Sequence, residues 1–342
     1  MDAISGYWAA VATIRVGLVA DPAAPTEIAR RMTDLRPLDG RDSWLVTVVS
    51  EPFTTGSEDV DRAKARLQER ARRQDWDVVI GLTELPLHDD EGRHLLVDTD
   101  PAQRTAVLSL PALGGLRMRT RTRRAVRSLV SGMADPNTTD EHRVALPRVR
   151  GRWRLLMGMV LANRPWLLVP GLKSALVAAL ATGAVATVNS TVWLLAGSLS
   201  WWRLVIASVA SIALVAAWLM IDGELWDRPD DDSPQARERS RLYNTSTLLT
   251  LLAGGLICYV ALYVVNLAWA FFVLDPHVMG KYVNVPIGHT DLLVLAWFVA
   301  SAATVGGGLG SSLESDEAIR AAAYSKREQD RRNRLEQERD DA

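Results

Sequence analysis

Four stretches of this 342-residue chain carry no Asp, Glu, Lys, Arg or His: 174–202, 204–221, 242–274 and 292–313. At about 1.5 Å of rise per residue, helices of this length match or exceed the roughly 30 Å hydrocarbon core of a bilayer. The pattern predicts four membrane spans, within 170–194, 203–221, 245–273 and 291–313, and excludes a wholly soluble protein. The overall 48% hydrophobic content and net charge of -1 hide this division, because the first 150 residues are charged throughout.

Charge sets the expected orientation. Twelve arginines between Gly115 and Arg164 face only Asp135, Asp140 and Glu141, and Arg228, Arg237, Arg239 and Arg241 lie between the second and third spans. The other two loops hold one base each, Arg203 and Lys281. Because basic residues stay on the cytoplasmic side, residues 1–165, 223–244 and 314–342 are expected inside, with both termini cytoplasmic. The start, Met1-Asp2-Ala3-Ile4-Ser5, has neither the basic nor the apolar region of a secretory signal. Cys258 is the single cysteine, so no intrachain disulfide and no thiolate metal site is available.

Before the spans the pattern alternates between two periods. Apolar runs at 14–20, 44–49, 77–83, 93–98 and 104–110 read as strands, and helical spacing covers 26–35, 57–74 and 119–134. Ser57-Glu58-Asp59 suits a helix start, and Arg70, Arg72 and Arg73 suit its end. The order β-α-β-α-β-β-β-α predicts an α/β domain with a mixed sheet, in two or three layers, with 77–83 as its central strand. The expected organisation is a cytoplasmic α/β domain (1–140), a basic juxtamembrane segment (141–165), an all-α membrane domain of four transmembrane helices (166–313) and a charged helical tail (314–342).

Trp76-Asp77-Val78-Val79-Ile80-Gly81-Leu82-Thr83-Glu84-Leu85-Pro86-Leu87, followed by Arg104-Thr105-Ala106-Val107-Leu108-Ser109-Leu110 and a helix, resembles an archaemetzincin-like zincin domain over 76–133. The resemblance implies a helix bearing His-Glu-x-x-His, whose histidines four apart share one face and hold zinc. The corresponding stretch here is Ala125-Val126-Arg127-Ser128-Leu129-Val130-Ser131, without either histidine or the glutamate. The likeness therefore implies a degenerate site with no metal and no cofactor. The overall layout also resembles multi-pass membrane proteins of actinobacteria, and that resemblance implies no activity. The preference for Arg over Lys fits a GC-rich bacterial genome, and the expected location is the bacterial inner membrane.

Other chemistry is sparse. His88, Asp89, Asp90, Glu91 and His94 have the residue types of a divalent-cation site, yet Asp-Asp-Glu-Gly is ordinary turn chemistry and a polar hairpin tip is the plainer reading. Glu84 ends the central strand, where open α/β sheets bind ligands, but it has no partner in the sequence to make a catalytic set. Arg117, Arg119, Arg121, Arg123, Arg124 and Arg127, with Arg148, Arg150, Arg152 and Arg154, are read as contacts for lipid or a protein partner. Nucleic acid is not expected, because the cluster directly precedes a membrane segment. Residues 147–164 read equally as an interfacial helix, through Trp153, Leu155, Leu156, Met157 and Met159, or as a charged linker.

Within the spans, Gly306, Gly307, Gly308 and Gly310 point to close helix packing, not to a phosphate loop. Asn189, Asn266, Thr187 and Tyr259 are expected to hydrogen bond across helices, and Trp193, Trp201, Trp202, Trp218 and Trp226 to anchor at the lipid interface. The Asn-x-Ser/Thr triplets at Asn137, Asn189 and Asn244 lie in cytoplasmic or membrane positions and imply no glycan. The lack of charge inside the spans weakens a proton-coupled pump. The functional expectation is an integral membrane protein with a non-catalytic cytoplasmic binding or assembly domain, partnered by the lipid bilayer and by a protein or a second copy. A transporter or channel component built from oligomerised four-helix units and a membrane-tethered hydrolase are the alternatives.

Overall fold

The computed structural model describes residues 13–37, 43–54, 60–89, 93–115, 117–134, 143–229 and 234–310. They form two compact units, the first ending at Ala162 and the second beginning at Asn163.

The first unit contains β1 (Thr13–Ala20), α1 (Ala24–Arg30), β2 (Ser43–Ser50), α2 (Val60–Gln74), β3 (Val78–Thr83), β4 (Leu87–His88), β5 (His94–Asp100), β6 (Thr105–Ser109), α3 (Met118–Ala134), β7 (Arg143–Ala145) and α4 (Arg148–Ala162). The sheet order is β2-β1-β3-β6-β5-β4, with β7 paired to β5. Strands β1, β2, β3 and β6 are parallel, whereas β5 runs antiparallel to β6, β4 and β7. The mixed sheet is thus present.

Neighbouring residues of the central strands face opposite sides, and both sides are covered. Leu18, Ile80 and Leu108 pack with Ile28 and Met32 and with Val126 and Val130 of α3. Val19, Val79 and Val107 pack instead with Ala63 and Leu67 of α2 and with Phe53. Helices on both faces explain why these strands read as continuous apolar runs, and they decide for three layers over two. The acidic cap residues 57–59 lie outside the described residues.

The expected boundary at residue 140 is corrected. Strand β7 adds to β5, pairing Leu95 with Ala145 and Asp98 with Arg143 across an irregular register. Helix α4 buries Leu155, Leu156, Met159 and Val160. It lies against a 3-10 turn at Pro111–Leu113, and Gly158 makes the approach possible, because a Cβ there would overlap the Pro111 backbone. The segment set apart as juxtamembrane belongs largely to the α/β unit.

The second unit is helical: α5 (Leu168–Gly171), α6 (Lys173–Thr187), α7 (Ser190–Ser198), α8 (Trp201–Asp222), α9 (Pro234–Val273), α10 (Pro276–Val283) and α11 (His289–Gly310). Among the described residues, three stretches are long and apolar enough to cross a membrane, Trp201–Asp222, Ser240–Val273 and His289–Gly308. A fourth is added if Arg150–Gly171 and Lys173–Thr187, bent by 57° to one another, count as one span.

The first expected span differs most from its sequence reading. A continuous helix over 170–194 is replaced by breaks at Leu172 and at Val188–Asn189. Asn189 sits in extended backbone and its Oδ1 accepts the Thr191 N–H at 2.9 Å, so it caps α7 instead of continuing α6. The 15 residues of α6 reach about 22 Å at the usual helical rise, short of a bilayer core. The charged tail at 314–342 lies outside the described residues.

Candidate functional site

The basic helices of the α/β unit carry most of the residues singled out in the sequence, and the structure divides them by role. Arg123 is bound within the fold. Its Nη1 and Nη2 donate to the two Asp34 oxygens at 2.8 and 2.9 Å, and that pair holds the Asp34 carboxyl below its ordinary range. Arg127 is half-buried, with its Nε enclosed and lacking an acceptor. Arg117, Arg119 and Arg124 are exposed.

Arg121 and Arg154 converge. The Arg121 Nη1 donates to the Leu113 carbonyl at 2.7 Å. The same Nη1 and the Arg154 Nε lie 3.2 and 3.4 Å from the point where a Cβ on Gly114 would stand. Gly114 is buried with φ +82°, a backbone conformation that suits glycine, and without a Cβ it forms a notch into which the Arg121 and Arg154 side chains fit. Burial and the neighbouring Arg121 charge push Arg154 below the usual arginine value.

Around this notch α4 turns an apolar face outward. Trp153 is 60% and Met157 50% exposed, while Leu155, Leu156, Met159 and Val160 point into the unit. Arg150, Trp153, Arg154 and Met157 stand at i, i+3, i+4 and i+7, one face of the helix. Arg152 is exposed away from that face, and the side chain of Arg148 lies outside the described ones.

The other expected sites resolve as follows. His88 and His94 are a direct cross-strand pair of the β4–β5 hairpin, with ring centroids 4.4 Å apart. Asp89 is tied to Arg93 at 2.7 Å, and Asp90 and Glu91 lie outside the described residues. Among the described residues no three His, Cys, Asp or Glu side chains group as metal ligands. Glu84 is half-buried just past β3. In the stretch at 125–131, Val126 and Val130 face the core while Ser128 and Ser131 are exposed on α3.

Two polar clusters were not legible in the sequence. In the α/β unit, the Asp98 side chain is only 2% exposed and meets Lys64 Nζ at 3.4 Å and Arg143 Nε at 3.2 Å. Lys64 also reaches Asp61 at 3.1 Å. Burial holds Asp98 above the usual carboxylate range, outweighing the two cations. Burial opposes the Lys64 charge too, but the hydrogen bond to Asp61 and the charge of Asp98 together raise its pKa.

In the helical unit, the Trp297 indole N–H donates to Ser208 Oγ at 2.7 Å, Ser208 meets the Tyr259 hydroxyl at 2.8 Å, and Tyr259 meets Ser301 at 3.0 Å. These residues join α8, α9 and α11. A groove of about 400 Å³ borders the cluster, walled by Val205, Val209 and Leu256. Asn266 is buried and donates to the Leu262 carbonyl at 2.8 Å, next to Gly183, where a Cβ would overlap its carboxamide. Thr187 donates to the Gly183 carbonyl at 2.7 Å. Gly307 lies against the Ala175 carbonyl and Ala179, Gly306 against Thr182, and Gly308 against Val215, while Gly310 ends α11.

Trp201, Trp202, Trp218 and Trp226 are exposed, but Trp193 donates to the Thr187 carbonyl across the α6–α7 break at 2.6 Å. The carboxamide of Asn244 is spent on the Asp227 backbone, accepting at 2.7 Å and donating at 2.9 Å, and Asn137 lies outside the described residues.

Comparison with family models, with curated proteins and with solved structures finds no match to this chain. The zincin resemblance therefore rests on the residues quoted for it alone.

Proposed function

We propose that the protein is a multi-pass protein of the bacterial inner membrane, with four spans, cytoplasmic termini and an α/β unit that acts in the cytoplasm as a non-catalytic binding or assembly module. The observation that carries this reading is the basic, tryptophan-bearing face of α4, which ends only two residues before the Pro165–Leu167 turn that leads into the apolar helices. Clustered arginine next to a span favours the cytoplasmic side, and exposed Arg237 and Arg241 at the start of α9 favour that side for the loop between α8 and α9. In this arrangement the apolar helices that follow the Pro165–Leu167 turn, α5 to α7, serve as the first span.

Reporter fusions test it. Fusions at Ser233 and after Ala342 are expected to be cytoplasmic and a fusion at Gly280 extracytoplasmic. A cytoplasmic signal at Gly280 would overturn the topology and with it the location of the module.

One observation favours a second reading, a transporter or channel component. Interrupted helices near buried polar groups are a recurring feature of transport sites, and α6 and α7 are interrupted near Trp193 and Thr187. Solute flux into vesicles holding the purified chain, absent from empty vesicles, would favour this reading over the first.

A further inference from the structure

We propose that the Gly114 notch and the exposed face of α4 form a phosphate-binding site for anionic lipid, with Arg121 and Arg154 holding the headgroup and Trp153 and Met157 entering the interfacial layer. The inference rests on the membrane-anchored reading and adds a ligand to it.

Four features meet here. First, two guanidinium groups converge with no carboxylate partner for either among the described residues. Like charges brought together repel, and the arrangement is relieved by an anion between them. Guanidinium forks match phosphate oxygens in geometry as well as charge. Second, Gly114 lets the two side chains close in on one another, because a Cβ there would stand 3.0 Å from the Arg154 Cγ and 3.2 Å from the Arg121 Nη1. Third, Trp153 and Met157 are large apolar side chains left in solvent beside the notch, and indole rings favour the headgroup layer of a bilayer. Fourth, in sequence the chain enters its apolar helices within a few residues of the end of α4. A soluble phosphate satisfies the first two features but gives no role to Trp153 and Met157. A lipid headgroup satisfies all four.

The full-length chain permits a direct test, because Cys258 is its single cysteine. With Cys258→Ala, a nitroxide placed by Met157→Cys reports its surroundings through collision with oxygen, which enriches in lipid, or with a water-soluble nickel chelate. The chain is reconstituted in vesicles of phosphatidylcholine with or without phosphatidylglycerol. The expected result is a several-fold fall in nickel collisions when phosphatidylglycerol is present, which inorganic phosphate at equal ionic strength does not reproduce. Arg121→Gln with Arg154→Gln should abolish the difference. Arg154→Lys should keep only part of it, since a cation near an anionic surface contributes roughly fivefold to partitioning but an ammonium lacks the guanidinium fork.

A label equally open to nickel in both vesicle types would overturn the proposal. So would equal shielding in both, which would mark a protein partner or a second copy on this face. Protection produced by inorganic phosphate in lipid of either kind would assign the notch to a free anion and would also overturn it. Retention in the membrane pellet after alkaline washing is read on the same samples. A chain that stays inserted while residue 157 remains in water refutes this inference and leaves the membrane-anchored reading standing.

Discussion

The α/β unit and the helical unit meet the same demand, that buried polar groups be partnered, with different chemistry. In the first, Asp98 and Lys64 are buried as ions and share Asp61 and Arg143 with the edge of the fold. In the second, every buried polar side chain among the described residues is neutral, from Thr187 to Thr304. The difference follows from what surrounds each unit. An ion pair near water keeps part of its solvation through exposed partners such as Asp61, whereas a charge among apolar helices has no such recourse and costs about 3 kcal/mol or more. Hydroxyl, indole and carboxamide groups join helices without that penalty.

The comparison breaks most visibly at Lys64. Lys64→Met leaves Asp98 with Arg143 as its remaining cation among the described residues, and removing one partner of a buried pair costs about 3 kcal/mol. Amide exchange in β3 of the full chain should quicken accordingly. The pH dependence has a definite sign. Lys64 is raised above its ordinary 10.5, so its contribution is complete below that value and is lost as pH climbs through the raised one. Asp98 is raised above 3.8, so its ionisation lowers stability as pH rises from the unfolded value through the folded one. Lys64→Met should flatten the alkaline limb, and an unchanged limb would remove Lys64 from the account.

The helical unit should respond instead to volume. Gly307→Leu forces a side chain into the α6 backbone at Ala175, an overpacking that costs about 1–3 kcal/mol, and lowers the midpoint of thermal unfolding in detergent. Tyr259→Phe removes only a hydroxyl from the cluster with Ser208 and Ser301 and should cost about 0.6 kcal/mol in the same assay. If the order of these two effects were reversed, polar bonding and not close packing would hold the helices together.

The strands of the α/β unit were legible because the central ones are apolar on both faces, a signal that survives without any tertiary knowledge. Strands β4 and β7 were not, since two and three residues are too few to show a period. The place of α4 depends on a glycine meeting a backbone carbonyl, and sequence spacing says nothing of that contact. The helix break at Asn189 was hidden inside an uncharged run, although Asn-Ser-Thr is a helix-start signal in its own right. Ser208, Tyr259, Trp297 and Ser301 carry no shared spacing, and only the packing of three helices assembles them. Of the arginines, counting predicted a basic surface, but Arg123 proved to be occupied by Asp34, while Arg121 and Arg154 converge at Gly114.

The smallest expected effect concerns metal. With Arg127, Ser128 and Ser131 on α3 where the zincin resemblance implies ligands, the purified protein should hold no stoichiometric zinc, and a chelator should leave its melting temperature unchanged. One tightly held zinc per chain would direct attention to His88 and His94 on the hairpin.

The central claim is that the α/β unit is a module in its own right, completed by β7 and α4, and carried by the membrane helices. Its most direct test is to express residues 1–162 and residues 1–140 without the spans and to follow their unfolding in urea. The account predicts a cooperative transition for 1–162, and a transition at lower urea, or none, for 1–140, which lacks the β7 pairing and the α4 packing over Pro111. Equal midpoints for the two fragments, or a 1–162 fragment that aggregates under every condition, would contradict it.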